Sequence, residues 1–597
     1  MPQAGRPVTA VLPGRDDPGR DDRDLFSTML RTEPTAPPAA AWPALALHLA
    51  LLAAALTMLG LAALWLQRNP MLNTWDEVMH MNFSLADSAL LRGGSLSTLR
   101  DALMLENRWL PPGLRLLGLP VAALAEGEQA AVALRLAAAA LTLATGVVIY
   151  LGLLPIAGLA GAAGGALLFL LSPLNLVGAQ AFMTELVLHL TFALALVLLL
   201  WEALGKRWSF GRLLLLGPVM GLGALSKLTF LPIIGLVWVA CAGWRWWVER
   251  DAKLLGLRLA LPAVGLALVA WPHYLINGPR YAAYAKATAL GYAYAPAEER
   301  GLDFILRALG SFTWDMLGPG GAVLLLAGLG LAVLGWRRLD RDQRVAVGLA
   351  VVAAVPPVLA YLLSRNQTER YLGLSVVALA FPLGIAIGAG LRGGQVAARA
   401  LVAGAAAMTL VQVGLCWVIA LEGPAGARPL RPIDEAAWRT NPMCDFRPVA
   451  QLLPLGERPL RIGVFGLTLG VHAFVVEQAF LLHRGGPSKL VELVDSSTRD
   501  IDWPKVMAEV AALDLVLVPE ELWDGTGDTG GHGVNEAVAG LRQRLAATGY
   551  VEDLGAIAGG ADPVCAIRAL AVRPHVDPTP PRPLLRPEIR LPVGVAG

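Results

Sequence analysis

The residues best suited to chemistry sit together in NTWDEVMHMN (73–82), directly after an apolar run at 41–67. Asp76 and Glu77 are adjacent carboxylates, and His80 lies four residues beyond Asp76. A carboxylate within hydrogen-bond reach of a hydroxyl serves as a general base. On a helix, Asp76 and His80 would share one face, as a proton-sharing pair or half of a metal site. No HExxH and no second ligand set accompanies them, so neither a metal nor any other cofactor is assigned. A third acid, Glu185, opens the apolar stretch TELVLHL, where it needs a polar cavity or a partner. His189, one helical turn further on, reads as a packed helix residue. Cations complete the set. Lys227 stands alone between two apolar segments in GALSKLTFLP, and Arg365, Arg370 and Tyr371 lie in SRNQTERYLGL. An isolated cation beside lipid asks for an anion, and a lipid phosphate is the obvious one. Arg recognises it bidentately and Lys as a point charge. Tyr274 and Arg280, in WPHYLINGPRYAAY, join His80 and Tyr371 as candidate substrate contacts, although aromatics there also suit an interfacial belt.

The elements that must position these groups are set by composition. The chain has 597 residues, 56% hydrophobic and only 16% charged, with a mean hydropathy of +0.57. Soluble domains run nearer 45–50% apolar and about 25% charged, so the sequence describes a polytopic α-helical membrane protein. Apolar segments fall at 41–67, 131–152, 154–172, 182–204, 212–225, 229–247, 256–276, 320–336, 345–363, 371–391 and 398–421, about eleven transmembrane helices. The basic loops 205–212, 244–258, 336–344 and 392–399 then share one side with the Arg-rich N-terminal tail. By the positive-inside rule the N-terminus is in and the C-terminus out. That parity places the acids, Lys227, the 277–318 loop and Arg365–Arg370 on the outer, extracytoplasmic face. The stretch 110–125, with Pro111, Pro112 and Arg115, is short and reads as a juxtamembrane or re-entrant helix in a first outer loop spanning 68–130.

Residues 1–40 read as a disordered cytoplasmic tail, 41–421 as the transmembrane domain and 573–597 as a disordered tail. From 422 to 572, β-rich runs (RIGVFGLT, KLVELVD, DLVLVPE) alternate with helical ones (VHAFVVEQAFLLH, PKVMAEVAAL), which points to a small C-terminal α/β extracytoplasmic domain. VFGLTLGVHA is not GxGxxG, so no nucleotide site is read there. The net charge of +2 gives no reason to expect a nucleic-acid partner. Of four cysteines, Cys241 and Cys416 sit in apolar runs, and Cys444 and Cys565 could pair if their region faces an oxidising space.

The order of these motifs (an acidic pair on the first outer loop, a double proline, SPLNLVGAQAFMTELVLHLTFALALVLL, GLGALSKLTFLPIIG, then ERYLGLSVVALAFPLG) resembles the GT-C superfamily of membrane glycosyltransferases across roughly 41–421. It resembles in particular the protein O-mannosyltransferase and aminoarabinose-transferase branches. The resemblance implies transfer of a sugar from a polyprenyl-phosphate carrier to an acceptor at the outer face. It implies Asp76 as the base that deprotonates the acceptor, Glu77 and Glu185 as positioning groups, and Lys227 with Arg365 and Arg370 on the carrier phosphate. Two departures leave the branch and the acceptor open: Glu185 stands where the family often has Asp, and Gly113 where it has an aromatic after the prolines. The expected partners are the lipid-linked sugar donor, a glycan, lipid or protein acceptor, and the bilayer, the Ala/Leu/Gly/Arg bias suggesting a bacterial inner membrane. A lipid-linked sugar flippase or small-solute transporter is the alternative, and a structural membrane subunit a third. Transporters favour mid-span charges and inverted repeats. Here no repeat is evident and the charges gather at the outer ends.

Overall fold

The computed structural model describes residues 41–68, 75–106, 111–179, 181–205, 210–290, 302–363, 372–392, 396–422, 446–452, 461–465, 473–484, 489–494, 502–520, 540–547, 551–558 and 566–572. The N-terminal tail, the C-terminal tail, Cys444 and Cys565 lie outside these residues. So do Arg365, Arg370 and Tyr371.

All eleven apolar segments fall on helices. The first is α1 (Ala41–Arg68), followed by α2 (Trp75–Arg92) and α3 (Gly113–Ala123) in the first loop. Then come α4 (Gly127–Leu170), α5 (Thr184–Ala203), α6 (Phe210–Ser226), α7 (Phe230–Glu249) and α8 (Ala252–Leu290). The membrane part closes with α9 (Gly318–Gly335), α10 (Arg341–Leu363), α11 (Gly373–Arg392) and α12 (Val396–Glu422). Among the described residues, eight of these helices are long and apolar enough to span a bilayer, and α3 and α6 are shorter apolar helices. The protein is a multi-pass membrane protein.

Two of the eleven segments share α4. Its 44 residues are broken at Gly158 (φ 71°, ψ 178°), a backbone conformation that L side chains rarely adopt. Gly146 packs against Leu170 and Gly165 against Leu153, so the two arms fold back on each other about that break as an antiparallel hairpin. The second arm lies against α11, where Gly161 faces the Gly384 carbonyl and Gly165 faces the Ala380 carbonyl. Small residues let the two backbones approach closely, as helix contacts in lipid favour.

Helix directions follow from contacts alone. Glu185 at the start of α5 pairs with Lys227 at the α6–α7 turn, and Glu202 at the far end of α5 pairs with Arg258 near the start of α8. α8 then returns to the Lys227 end, where the Tyr274 hydroxyl donates to the Ala224 carbonyl (2.6 Å). The far end carries a buried ion network. Arg258, 1% exposed, donates from Nε to Glu202 (2.6 Å) and from its other nitrogens to Glu249, which Arg245 also engages. The sequence placed 244–258 in a basic loop. The chain instead stops α7 at Glu249, turns through Arg250 (φ 58°) and starts α8 at Ala252, so Arg258 is a helix residue inside the bundle.

The C-terminal part is an α/β unit built on a five-stranded sheet of order β2-β1-β3-β5-β4. Its strands are β1 (Arg461–Phe465), β2 (Lys489–Val494), β3 (Leu515–Pro519), β4 (Val551–Ala558) and β5 (Ala566–Val572). Strands β2, β1 and β3 are parallel and are joined by the crossover helices α13 (Ala473–Arg484) and α14 (Trp503–Ala511), as parallel pairing requires. β5 and β4 add antiparallel. The alternation of side chains sorts the core: Ile462, Val464, Leu515 and Leu517 face α13, and Val516, Val518, Leu570 and Val572 face α14.

The far-end network gives a direct test of this packing. Arg258→Ala would leave the Glu202 carboxylate buried without its guanidinium, a loss of about 3–5 kcal/mol. Thermal unfolding of the detergent-purified protein is expected to begin several degrees lower, and an unchanged midpoint would remove the network from the account.

Candidate functional site

The acid pair lies on α2, as the spacing suggested. α2 starts at Trp75, so Asp76 stands in its first turn and His80 one turn further on. The Asp76 side chain is outside the described atoms. His80 is buried, and its carbonyl accepts from the Ser84 hydroxyl (3.0 Å). Glu77 is 4% exposed, and its Oε1 accepts from Arg135 Nε on α4 (3.1 Å) and from the backbone N–H of Phe182 ahead of α5 (3.1 Å). One carboxylate thus ties α2, α4 and the entry to α5 together. Arg135 is itself buried in an apolar helix, where only such a counter-charge makes it tolerable.

Glu185 occupies the first turn of α5, where an acid also suits the helix dipole. Its Oε1 accepts from Lys227 Nζ (2.8 Å) and its Oε2 from the Thr184 hydroxyl (3.2 Å). The inference that Lys227 is an isolated charge awaiting an anion therefore needs correcting: Glu185, 42 residues earlier, is its counter-charge. The Lys227 side chain is still 23% exposed, and an ammonium has three protons to give. Next to it, Gly113 opens α3 directly after the double proline. A Cβ there would lie 2.7 Å from the Leu225 carbonyl oxygen and 2.5 Å from Ser226 Oγ. The close approach of α3 to the end of α6 explains why this position holds glycine and no aromatic.

On α8, Tyr274 bonds Ala224 at the same end, and its ring lies 5.3 Å from that of Tyr281, which meets His273 Nε2 at 2.6 Å. Arg280 is exposed beside them. The structure so brings Glu77, Glu185, Lys227 and Tyr274 to one end of the bundle, with α2 across it. Gly373, at the start of α11, abuts the His189 ring, whose Nε2 would sit 2.3 Å from a Cβ there.

Sequence reasoning missed three partners. Arg135 is one. The second is a fork of Arg115 on Asp87, with Nε to Oδ2 at 2.8 Å and a terminal nitrogen to Oδ1 at 2.7 Å, that fixes α3 to α2; the guanidinium also covers the Phe83 ring. The third is Glu477 of α13, which accepts from Asn82 Nδ2 (3.1 Å). The available signal was the lone Arg in each apolar stretch, since a charge so placed predicts an acid nearby. Among the described residues no group of three or more His, Cys, Asp or Glu is arranged to hold a metal.

The sequence matches no family model and no curated protein. Its structure does match solved ones. ArnT from Cupriavidus metallidurans bound to undecaprenyl phosphate aligns with a TM-score of 0.54 at 17% identity, covering 88% of this chain and 99% of that one. The same protein in the apo state gives 0.53 at 18% identity, covering 89% and 98%. The Archaeoglobus fulgidus oligosaccharyltransferase in complex with zinc and sulfate gives 0.45 at 14%, covering 77% and 67%. The chain shares the fold of ArnT over 88% of its length.

Removing either partner of the buried bridge at Glu77 strands the other. Arg135→Ala leaves the carboxylate, and Glu77→Gln, though it keeps an acceptor for the Phe182 N–H, leaves the Arg135 charge without its counter-charge, so each should cost about 3–5 kcal/mol. Unfolding midpoints of the two variants in one detergent check this, and an unchanged midpoint in either would contradict it.

Proposed function

We propose that this chain, on the ArnT fold, is a membrane glycosyltransferase that moves a sugar from a polyprenyl-phosphate carrier to an acceptor hydroxyl or phosphate at the extracytoplasmic face. The observation that carries the reading is the gathering of Glu77, Glu185 and Lys227 at one end of the bundle beneath the helix that bears Asp76. The fold adds support, because the ArnT structure it matches was solved with undecaprenyl phosphate. The basic loops at the opposite helix ends favour a multi-pass protein of the inner membrane with this end outside.

In the reaction, the acceptor oxygen attacks the anomeric carbon of the donor sugar. A new carbon–oxygen bond forms as the bond to the carrier phosphate breaks. Asp76 takes the acceptor proton as general base, which suits a carboxylate in the first turn of a well-anchored helix. The leaving group is a phosphate whose developing charge is met by fixed cations. Lys227 is the first of these, since its ammonium is partly exposed beside Glu185, and Arg365 and Arg370 are assigned the same task. Glu185 orients Lys227. Glu77, fully engaged by Arg135 and Phe182, holds the turn that presents Asp76. Tyr274, Arg280 and Tyr371 are assigned to the rim that contacts the sugars, and His80, buried one turn beyond Asp76, to a contact from beneath it. The carrier phosphate activates the sugar already, so no nucleotide fold is required, and no metal is given a role.

Purified wild type in detergent, supplied with radiolabelled polyprenyl-phosphate sugars and a membrane extract as acceptor, should transfer label. Asp76→Asn should lower transfer by about 10²–10⁴-fold with donor binding kept. Lys227→Ala should raise the donor KM by about tenfold or more, the cost of one charge-assisted bond. If carrier lipid binds yet no donor is consumed, the chain is a transporter of lipid-linked sugars instead. Normal transfer by Asp76→Asn would refute the base assignment.

A further inference from the structure

α2 is a helix of mixed polarity that is nevertheless buried along most of its length. Glu77 faces α4 and the entry to α5, and Asp87 faces Arg115 on α3. A third side, Val78, Met81, Asn82 and Leu85, has the helical spacing of one stripe. That stripe meets the C-terminal α/β unit. Val78, Met81 and Leu85 share one hydrophobic core with Val475, Val476, Ala479 and Phe480 of α13, and this core continues into β1 and β3. Within it, Asn82 Nδ2 donates to Glu477 Oε2 at 3.1 Å and Gln478 Nε2 lies 3.5 Å from Met81 Sδ. At the edge Arg447 pairs with Glu128 on α4 at 2.7 Å.

From this geometry we infer that the C-terminal α/β unit clamps the acid-bearing helix α2 in its working position, with Glu477 as the positioning residue of the clamp. The consequence for catalysis rests on the functional reading above, whereas the clamp itself rests only on the contacts.

A carboxyl in such a contact is sensitive to charge. Burial pushes Glu477 up to about 7, with the Asn82 hydrogen bond acting in the opposite direction. The elements packed on α13 carry other charged or titratable groups. Glu77 with Arg135, Asp87 with Arg115, and Glu128 with Arg447 are paired off. Further charged or titratable positions in the sequence are Asp76, His80 and Arg92 on α2, His483 and Arg484 on α13 itself, and Lys489 and Glu492 on β2. The sign follows from proton linkage. A carboxyl whose value is raised in the docked state holds more proton there than when undocked, so docking tightens as pH falls through about 7 and loosens as pH rises towards it.

The test is hydrogen–deuterium exchange of the 75–92 segment in the full-length protein in detergent, from pH 5 to 8, corrected for intrinsic exchange, with sugar transfer measured on the same samples. In the wild type, opening of α2 should become more frequent as pH rises towards about 7, by at most about tenfold per pH unit for one proton. Glu477→Gln, a neutral mimic of the protonated acid, should flatten that dependence and keep α2 protected at pH 8. Glu477→Lys should expose α2 at every pH while the 373–392 helix stays protected, which distinguishes lost docking from lost folding. Wild-type protection in Glu477→Lys, or an identical pH dependence in wild type and Glu477→Gln, would overturn the proposal. Exchange as expected with no donor consumed by any sample would keep the clamp and discard the glycosyltransferase reading.

Discussion

The buried carboxylate of Glu77 is the constraint on which the rest of the site depends. A charge removed from water is tolerated only when its partners are fixed, and here a guanidinium on α4 and a backbone N–H ahead of α5 supply them. Because those partners come from two different elements, the carboxylate holds α2 against both at once. That arrangement puts the first turn of α2, with Asp76, over the end of the bundle where Glu185 meets Lys227. The Arg115–Asp87 fork does the same for α3, whose N-terminus in turn touches Leu225 and Ser226, the residues just before Lys227. Each acid is thus linked to the cation turn through packed backbone.

The two ends of the bundle use the same chemistry for different purposes. At the far end Arg258 is saturated by Glu202 and Glu249 and is shut away from solvent. At the site end Lys227 pairs with Glu185 and keeps part of its surface open. A dry, buried ion pair fixes helix ends to one another. A partly exposed ammonium is accessible to a further anion. This contrast is the reason the proposal assigns the phosphate to the α6–α7 turn, although both ends are rich in charge.

Much of this was legible in the sequence because it depends on local pattern. The apolar segments marked their helices, even the two arms of α4, since Pro155 and Gly158 interrupt an otherwise continuous run. The β1, β2 and β3 runs and both crossover helices were also readable from their periodicity. What stayed hidden depends on contacts between distant residues. Lys227 looked isolated because its partner lies on another helix, and Arg258 looked like a loop residue because its acids come from α5 and α7. VEDLGAIA gave no alternation, so β4 escaped notice. α2 reads as a polar loop helix, and only the folded chain reveals that its polar residues are buried against three different neighbours.

The most direct measurement is a structure of the full-length protein with undecaprenyl phosphate bound. The account predicts the phosphate within hydrogen-bond distance of Lys227 Nζ, beside the Glu185 carboxylate and beneath the first turn of α2. A phosphate seated at the Arg245–Arg258 end, or a lipid bound with its head group away from Lys227, would contradict it.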